Sequence, residues 1–107
     1  MLLFEAVAEK VNEWNEHGNL GLVVGATQPE DIRVIREHYP DMPLLIPGVG
    51  TQGGDLKQVM RFGADKNFTR TVINSSRQIL YASKNSDFAE AARKAALKLR
   101  DDMNACR

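Results

Sequence analysis

A chain of 107 residues with 43% hydrophobic and 26% charged content is of single-domain size, with material for a modest core. Its fourteen basic and fourteen acidic side chains balance, so no overall field favours nucleic acid or an anionic membrane, and any anion site must be local. The single cysteine, Cys106, rules out an intramolecular disulfide and fits a reducing cytoplasm; no apolar run is long enough to span a bilayer, and the opening Met-Leu-Leu-Phe meets Glu5 too soon to be a signal peptide.

Phe4, Val7, Ala8, Val11 and Trp14 recur at helical spacing and predict a first helix, with Glu5, Glu9, Lys10 and Glu13 on its polar side and Gly18 as its stop. Residues 20–24 form an apolar run without polar alternation, the pattern of a buried parallel strand. Thr27 and Glu30 have capping-box spacing and Pro29 suits a first turn, so a second helix is expected, with Ile32 and Ile35 inward and Tyr39-Pro40 as its end.

Residues 43–46 read as a second strand that stops at Pro47. Gly48, Gly50, Gly53 and Gly54 then crowd into seven residues, with Thr51 and Gln52 among them and Asp55 closing the loop. Glycines at that density let main-chain N–H groups approach a ligand with no Cβ in the way. Asp55 is a good N-cap for a short helix built on Leu56, Val59 and Met60 and ended by Gly63. A polar connection over 64–70 leads to a third strand, 71–74. A short extra helix over 79–82 and a final Ala-rich helix from Asp87 follow, the latter with the stripe Phe88, Ala92, Ala95, Leu99 and Met103 and with Glu90 completing a cap.

The order α-β-α-β-α-β-α predicts parallel strands with helices outside them, expected as a single domain over 1–107. Three strands leave two unpaired edges, which predicts a piece of something larger or a chain completed by self-association.

Strand, Gly-rich loop and helix N-terminus in succession form an anion site, most often for phosphate. Gly48-x-Gly50-x-x-Gly53 matches the dinucleotide fingerprint, and Arg77 after the next strand could receive a 2′-phosphate. Against this, Pro47 interrupts the strand, an extra Gly-Asp precedes the helix, and the glycines do not lie in the first βα unit. The alternative joins two consecutive strand ends, as in (β/α)8 barrels: the Gly-rich loop and Ser76-Arg77 would converge on one phosphate, with Arg77 binding it in bidentate fashion. A non-catalytic phosphate- or nucleotide-binding module is a further reading of the same residues.

The segments Gly18-Asn-Leu-Gly-Leu-Val-Val-Gly-Ala-Thr27, Leu44-Leu-Ile-Pro-Gly-Val-Gly-Thr-Gln-Gly-Gly-Asp55 and Ile73-Asn-Ser-Ser-Arg77 with Ile79-Leu-Tyr-Ala-Ser83 closely resemble the C-terminal part of orotidine 5′-monophosphate decarboxylase, in its longer bacterial subgroup. The resemblance implies an α/β fold, part of a (β/α)8 TIM barrel carrying strands six to eight. It implies a homodimeric, cytoplasmic enzyme of pyrimidine synthesis that makes uridine monophosphate without cofactor or metal. The partners it implies are a nucleotide monophosphate and the N-terminal barrel half, or self-association in its place; neither nucleic acid nor membrane is expected. Substrate-binding residues would be Pro47 near the pyrimidine, Gly50, Thr51, Gln52 and Gly53 in the loop, and Ser76 and Arg77 on the phosphate. Ser76 stands where many members have Gly, and its backbone N–H can serve equally.

The family's catalytic Asp-x-Lys-x-x-Asp array is not found among the lysines. Asp65-Lys66 comes nearest, with Ala64 two residues before the lysine and Thr69 three after. No catalytic residue is therefore assigned, and the chain alone is not expected to decarboxylate. His17 and His38 are expected at helix ends, where a cation suits the dipole, and no metal role is given them. Lys66 and Arg70 are read as solvated, Cys106 as exposed, and Trp14, Met60 and Met103 as core.

Overall fold

The computed structural model describes residues 1–50 and 55–107. Its elements are α1 (Leu3–Trp14), β1 (Leu22–Val23), α2 (Pro29–His38), β2 (Leu44–Pro47), α3 (Leu56–Gly63), β3 (Thr71–Asn74), α4 (Ser76–Leu80) and α5 (Phe88–Asn104). The strands are parallel in the order β1-β2-β3, with Leu22 opposite Leu44 and Leu44 opposite Thr71. The expected α-β-α-β-α-β-α order is present, so the fold is α/β.

Period-two alternation decides which side of the sheet is covered. Leu44 and Ile46 are buried and join Ala8, Ile32, Ile35 and Val59 in one core, with Phe4, Val11 and Ile73 packed against it. Val23, Leu45 and Val72 occupy one row across the three strands and are exposed at 68%, 38% and 61%. Helices thus cover one face and leave the other open. That is the section of a (β/α)8 barrel, whose helices form an outer ring around the strands. A doubly wound dinucleotide domain carries helices on both faces.

Several local expectations change. β1 is shorter than 20–24, although Leu22 N, Val24 N and Ala26 N donate in turn to the carbonyls of Pro43, Leu45 and Pro47. The ladder therefore runs on past the formal strand. Pro47 does not interrupt β2 but ends it, because the ladder needs only its carbonyl there and proline still has one. The Thr27–Glu30 capping box does not form; Gln28 is the N-cap of α2, and Pro29 occupies the first helical position as expected. α4 begins at Ser76, three residues earlier than the predicted 79, and the α5 N-cap Asp87 makes no side-chain capping bond. Asp55 caps α3 as predicted, its carboxylate accepting from Lys57 N at 2.9 Å.

Met60 is in the core, but Trp14 is 65% exposed at the end of α1. No residue of α5 is fully buried, and Phe88 is 62% exposed. Cys106 is half-buried, its Sγ donating to the Asp102 carbonyl at 3.2 Å. Among the described residues no helix is long and apolar enough to cross a membrane.

Two buried charges organise the N-terminal end of the sheet. Arg36 on α2 donates through Nε to the Gly63 carbonyl at 2.9 Å, and through Nη1 to the Met42 and Pro40 carbonyls at 2.7 and 2.9 Å. Its Nη2 reaches Thr71 Oγ1 at 3.3 Å. One side chain thereby joins α2, the end of α3, the approach to β2 and the start of β3. Burial pushes the guanidinium pKa down from its ordinary value, opposed by the nearby Asp65 and Asp41 carboxylates.

Asp65 closes the connection between α3 and β3. Its carboxylate accepts from the backbone N–H groups of Thr69 at 2.9 Å, Arg70 at 2.8 Å and Asn67 at 3.3 Å. Burial raises its pKa, but the N–H groups of Arg70, Asn67 and Thr69 outweigh burial and hold it below the usual value. The long polar connection is thus a turn wound around one carboxylate.

Candidate functional site

The C-terminal ends of all three strands open into one cleft of about 340 Å³. Gly25, Ala26 and Thr27 follow β1; Pro47, Gly48 and Val49 follow β2; Asn74, Ser75, Ser76 and Arg77 follow β3. Register explains the convergence, since Pro47 stands opposite Asn74 on the neighbouring strand. Gly48 and Gly50 have φ of 89° and 88°, left-handed values that a Cβ would disfavour, so the chain after β2 turns where only glycine turns freely.

Of the residues selected from sequence, Pro47, Ser76 and Arg77 line this cleft together. Gly50 does not line it. A Cβ built on Gly50 would meet Gln78 Nε2 at 2.5 Å and Oε1 at 2.7 Å, so this glycine backs onto the α4 side of the loop. Thr51, Gln52 and Gly53 lie outside the described residues. Arg77 is exposed, and it has no ion pair or side-chain hydrogen bond with another described residue. An exposed guanidinium at the mouth of a polar cleft can take an oxyanion in bidentate fashion.

Sequence reading passed over two polar side chains here. Asn74 follows Val72 by two residues and so stands on the open face at the cleft floor, with Nδ2 donating to Ser76 Oγ at 3.3 Å. The alternation Thr71-Val72-Ile73-Asn74 carried that signal. Ser75 is buried, and its Oγ donates to Gln78 Oε1 at 3.1 Å. The Ser75-x-x-Gln78 spacing of a helix N-terminus carried that signal, but the helix expected from sequence begins only at 79.

No Asp-x-Lys-x-x-Asp array is present. Its nearest approach is Asp55-Leu56-Lys57 rather than Asp65-Lys66, but Met60 holds the third position beyond that lysine. Asp55 is spent on the α3 cap and Met60 is buried. Among the described residues no group of three or more His, Cys, Asp or Glu side chains is placed to hold a metal ion.

Consecutive parallel βα units with helices on one face of the sheet are those of a portion of a (β/α)8 barrel. No family model matches the chain. It is 55% identical over 103 residues to orotidine 5′-phosphate decarboxylase of Ralstonia pickettii, and 49% identical over 102 residues to that of Dehalococcoides mccartyi strain CBDB1. Each match takes in 95% of the chain and 38% of the relative. In structure it is similar to Leishmania donovani OMP decarboxylase, with a TM-score of 0.78 and 34% identity over 99% of the chain and 39% of that protein. It is also similar to L. donovani UMP synthase, at 0.79 and 39% over 98% of the chain and 22% of that protein.

The chain therefore corresponds in sequence and fold to the C-terminal portion of the orotidine 5′-phosphate decarboxylases. It spans under two fifths of the length of the curated relatives it matches. The dinucleotide reading is not favoured by these relatives, nor by a sheet covered on one face.

Proposed function

We propose that this chain supplies the nucleotide-phosphate subsite of an orotidine 5′-phosphate decarboxylase, which converts orotidine monophosphate to uridine monophosphate and carbon dioxide. The observation that carries the reading is the meeting of Pro47, Ser76 and Arg77 in one cleft at adjacent strand ends, within a chain about half identical to such enzymes. In this reading Arg77 and the Ser76 N–H bind phosphate, joined by loop N–H groups of Thr51 and Gly53, while Gly50 supplies the turn that leads into them. Gln52 reaches between phosphate and base, and Pro47 gives the pyrimidine an apolar neighbour.

Decarboxylation needs the lysine array, which this sequence does not contain, so the 107 residues bind but do not turn over. The natural partner is a segment bearing the remaining strands and that array. It would seat against the open face with Val23, Leu45 and Val72 and pair with the free edges of β1 and β3. Exposed parallel edges and an apolar row favour such closure. A cytoplasmic address and a homodimeric assembly belong to the same proposal, as does the chain acting as one domain.

The test is an amide-resolved NMR titration with uridine monophosphate. Shifts confined to the strand C-terminal ends, at Gly48–Gly50 and Ser76–Arg77, are expected for the chain as it stands. Mixing with a segment bearing the lysine array should then restore carbon dioxide release. Absence of binding, or binding that Arg77→Ala leaves untouched, would sink the assignment.

A further inference from the structure

We infer that Gln78 is a positioning residue, the wedge that sets the glycine loop after β2 against the turn after β3. Its role in nucleotide binding rests on the function proposed above. The geometry does not depend on that function. Gln78 lies on α4, one residue beyond Arg77, and lines a separate cavity of about 380 Å³ behind the cleft, together with Gly50 and Ser75. Its carboxamide does two things there. Oε1 accepts from the Oγ of buried Ser75 at 3.1 Å, which fixes the residue that leads β3 into Ser76 and Arg77. The same amide, on an exposed side chain, occupies the space beside Gly50, where a Cβ would come within 2.5 Å of Nε2 and 2.8 Å of Cδ.

Gly50 has φ of 88°, so its backbone is already in a region other residues avoid, and Gln78 fills the space a side chain would need. A single planar amide therefore stands between Gly50 and Ser75 from behind, while Ser76 and Arg77 line the cleft in front. An anion gripped by two loops at once is sensitive to their separation, because each misplaced donor loses most of its hydrogen bond.

The experiment compares the wild-type chain with Gln78→Ala and Gln78→Met, read first without any nucleotide. Methionine keeps the length of the wedge but offers Ser75 only a weak thioether acceptor in place of the amide oxygen. The amide resonances of Gly50, Ser75 and Ser76 are expected to move, and their hydrogen exchange to quicken, in both variants. The alanine variant should show more at Gly50 and the methionine variant its main change at Ser75. Uridine monophosphate and uridine are then titrated into each protein. Gln78→Ala is expected to lose about tenfold in affinity for the monophosphate, the scale of one hydrogen bond to a charged group. Uridine affinity should stay unchanged, and Gln78→Met should recover part of the loss.

If Gly50 and Ser75 keep their resonances and exchange rates in both folded variants, the inference is overturned. It is equally overturned if uridine and its monophosphate lose affinity in parallel, since that would be general damage. If the loops respond to Gln78 while the wild-type chain ignores uridine monophosphate, the wedge stands and the nucleotide reading falls. Should Gln78→Ala fail to fold, the Ser75 arm is decided by Gln78→Met.

Discussion

The two ends of the sheet each carry an arginine, and the two are treated in opposite ways. At the N-terminal end, Arg36 is 9% exposed and donates to three carbonyls and a hydroxyl within 3.3 Å. At the C-terminal end, Arg77 is exposed and is bonded to none of the described side chains. A buried cation must be fully partnered by the protein, because desolvation is too costly otherwise. A cation left in solvent beside a cleft keeps its donors for something that arrives. The same residue type thus marks the end that holds the fold and the end proposed above to receive a ligand, which is the division of labour of (β/α)8 barrels.

Breaking the closed end should have the largest consequence. Arg36→Ala leaves the Gly63, Pro40 and Met42 carbonyls without their donor and removes the link from α2 to β3, a loss of about 3 kcal/mol or more. Urea unfolding followed by circular dichroism would read it. A midpoint shifted by less than a quarter of that amount would mean water replaces the guanidinium at little cost. The mirror experiment is Arg77→Ala, which should leave the urea midpoint within roughly 0.5 kcal/mol of wild type. Affinity for uridine monophosphate should fall by about 1.5–3 kcal/mol, the range for hydrogen bonds to a charged group. A destabilised Arg77→Ala protein would instead make that arginine a second staple, and the contrast between the ends would dissolve.

The two ends were not equally legible in the sequence. The open end was read from glycine density after a short apolar run and from an arginine at the next strand end. These local signals picked out Ser76 and Arg77, the family resemblance added Pro47, and the three line one cleft. The closed end was missed because nothing local marks it. Arg36 and Gly63 are 27 residues apart in the chain, Arg36 and Thr71 are 35 apart, and only the parallel fold brings them together. The sequence shows the connection over 64–70 only as a polar link, whereas its order comes from one carboxylate accepting three N–H groups. Trp14 shows the limit of periodicity: its position on the α1 stripe is right, but the stripe runs past the end of the core that could cover it.

Asp65 offers a sharper cut at the same closed end. Asp65→Asn keeps the shape but weakens the acceptor of the Asn67, Thr69 and Arg70 N–H groups, with an expected cost of about 1–2 kcal/mol. The pH dependence has a definite sign. The folded pKa lies below the unfolded value, which is near 3.9 for aspartate, so the ionised carboxylate stabilises the fold. Its contribution is fully present above about pH 4 and is lost as pH falls through the depressed folded pKa. Urea midpoints of the wild type and Asp65→Asn should therefore converge on acidification below pH 4. A constant gap between them would mean that the N–H groups bind the two side chains equally well, and that charge has no part in the turn.

The smallest expected effect tests where the boundary between the two ends falls. Asp55 follows the glycine-rich segment that is proposed to meet the ligand, yet its carboxylate is committed to Lys57 N and the start of α3. Loss of an aspartate N-cap costs about 1 kcal/mol, and Asp55→Asn should retain most of it because the amide oxygen still accepts. If Asp55 belongs with the fold, Asp55→Ala lowers the urea midpoint by that amount and leaves uridine monophosphate affinity within a factor of two of wild type. If affinity rises instead, the carboxylate repels the incoming phosphate across the loop, as a negative charge near an anion site would. The cap would then be trading anion affinity for helix stability. The outcome sets how far the self-satisfied, closed chemistry of Arg36 and Asp65 extends toward the cleft before the open chemistry of Arg77 takes over.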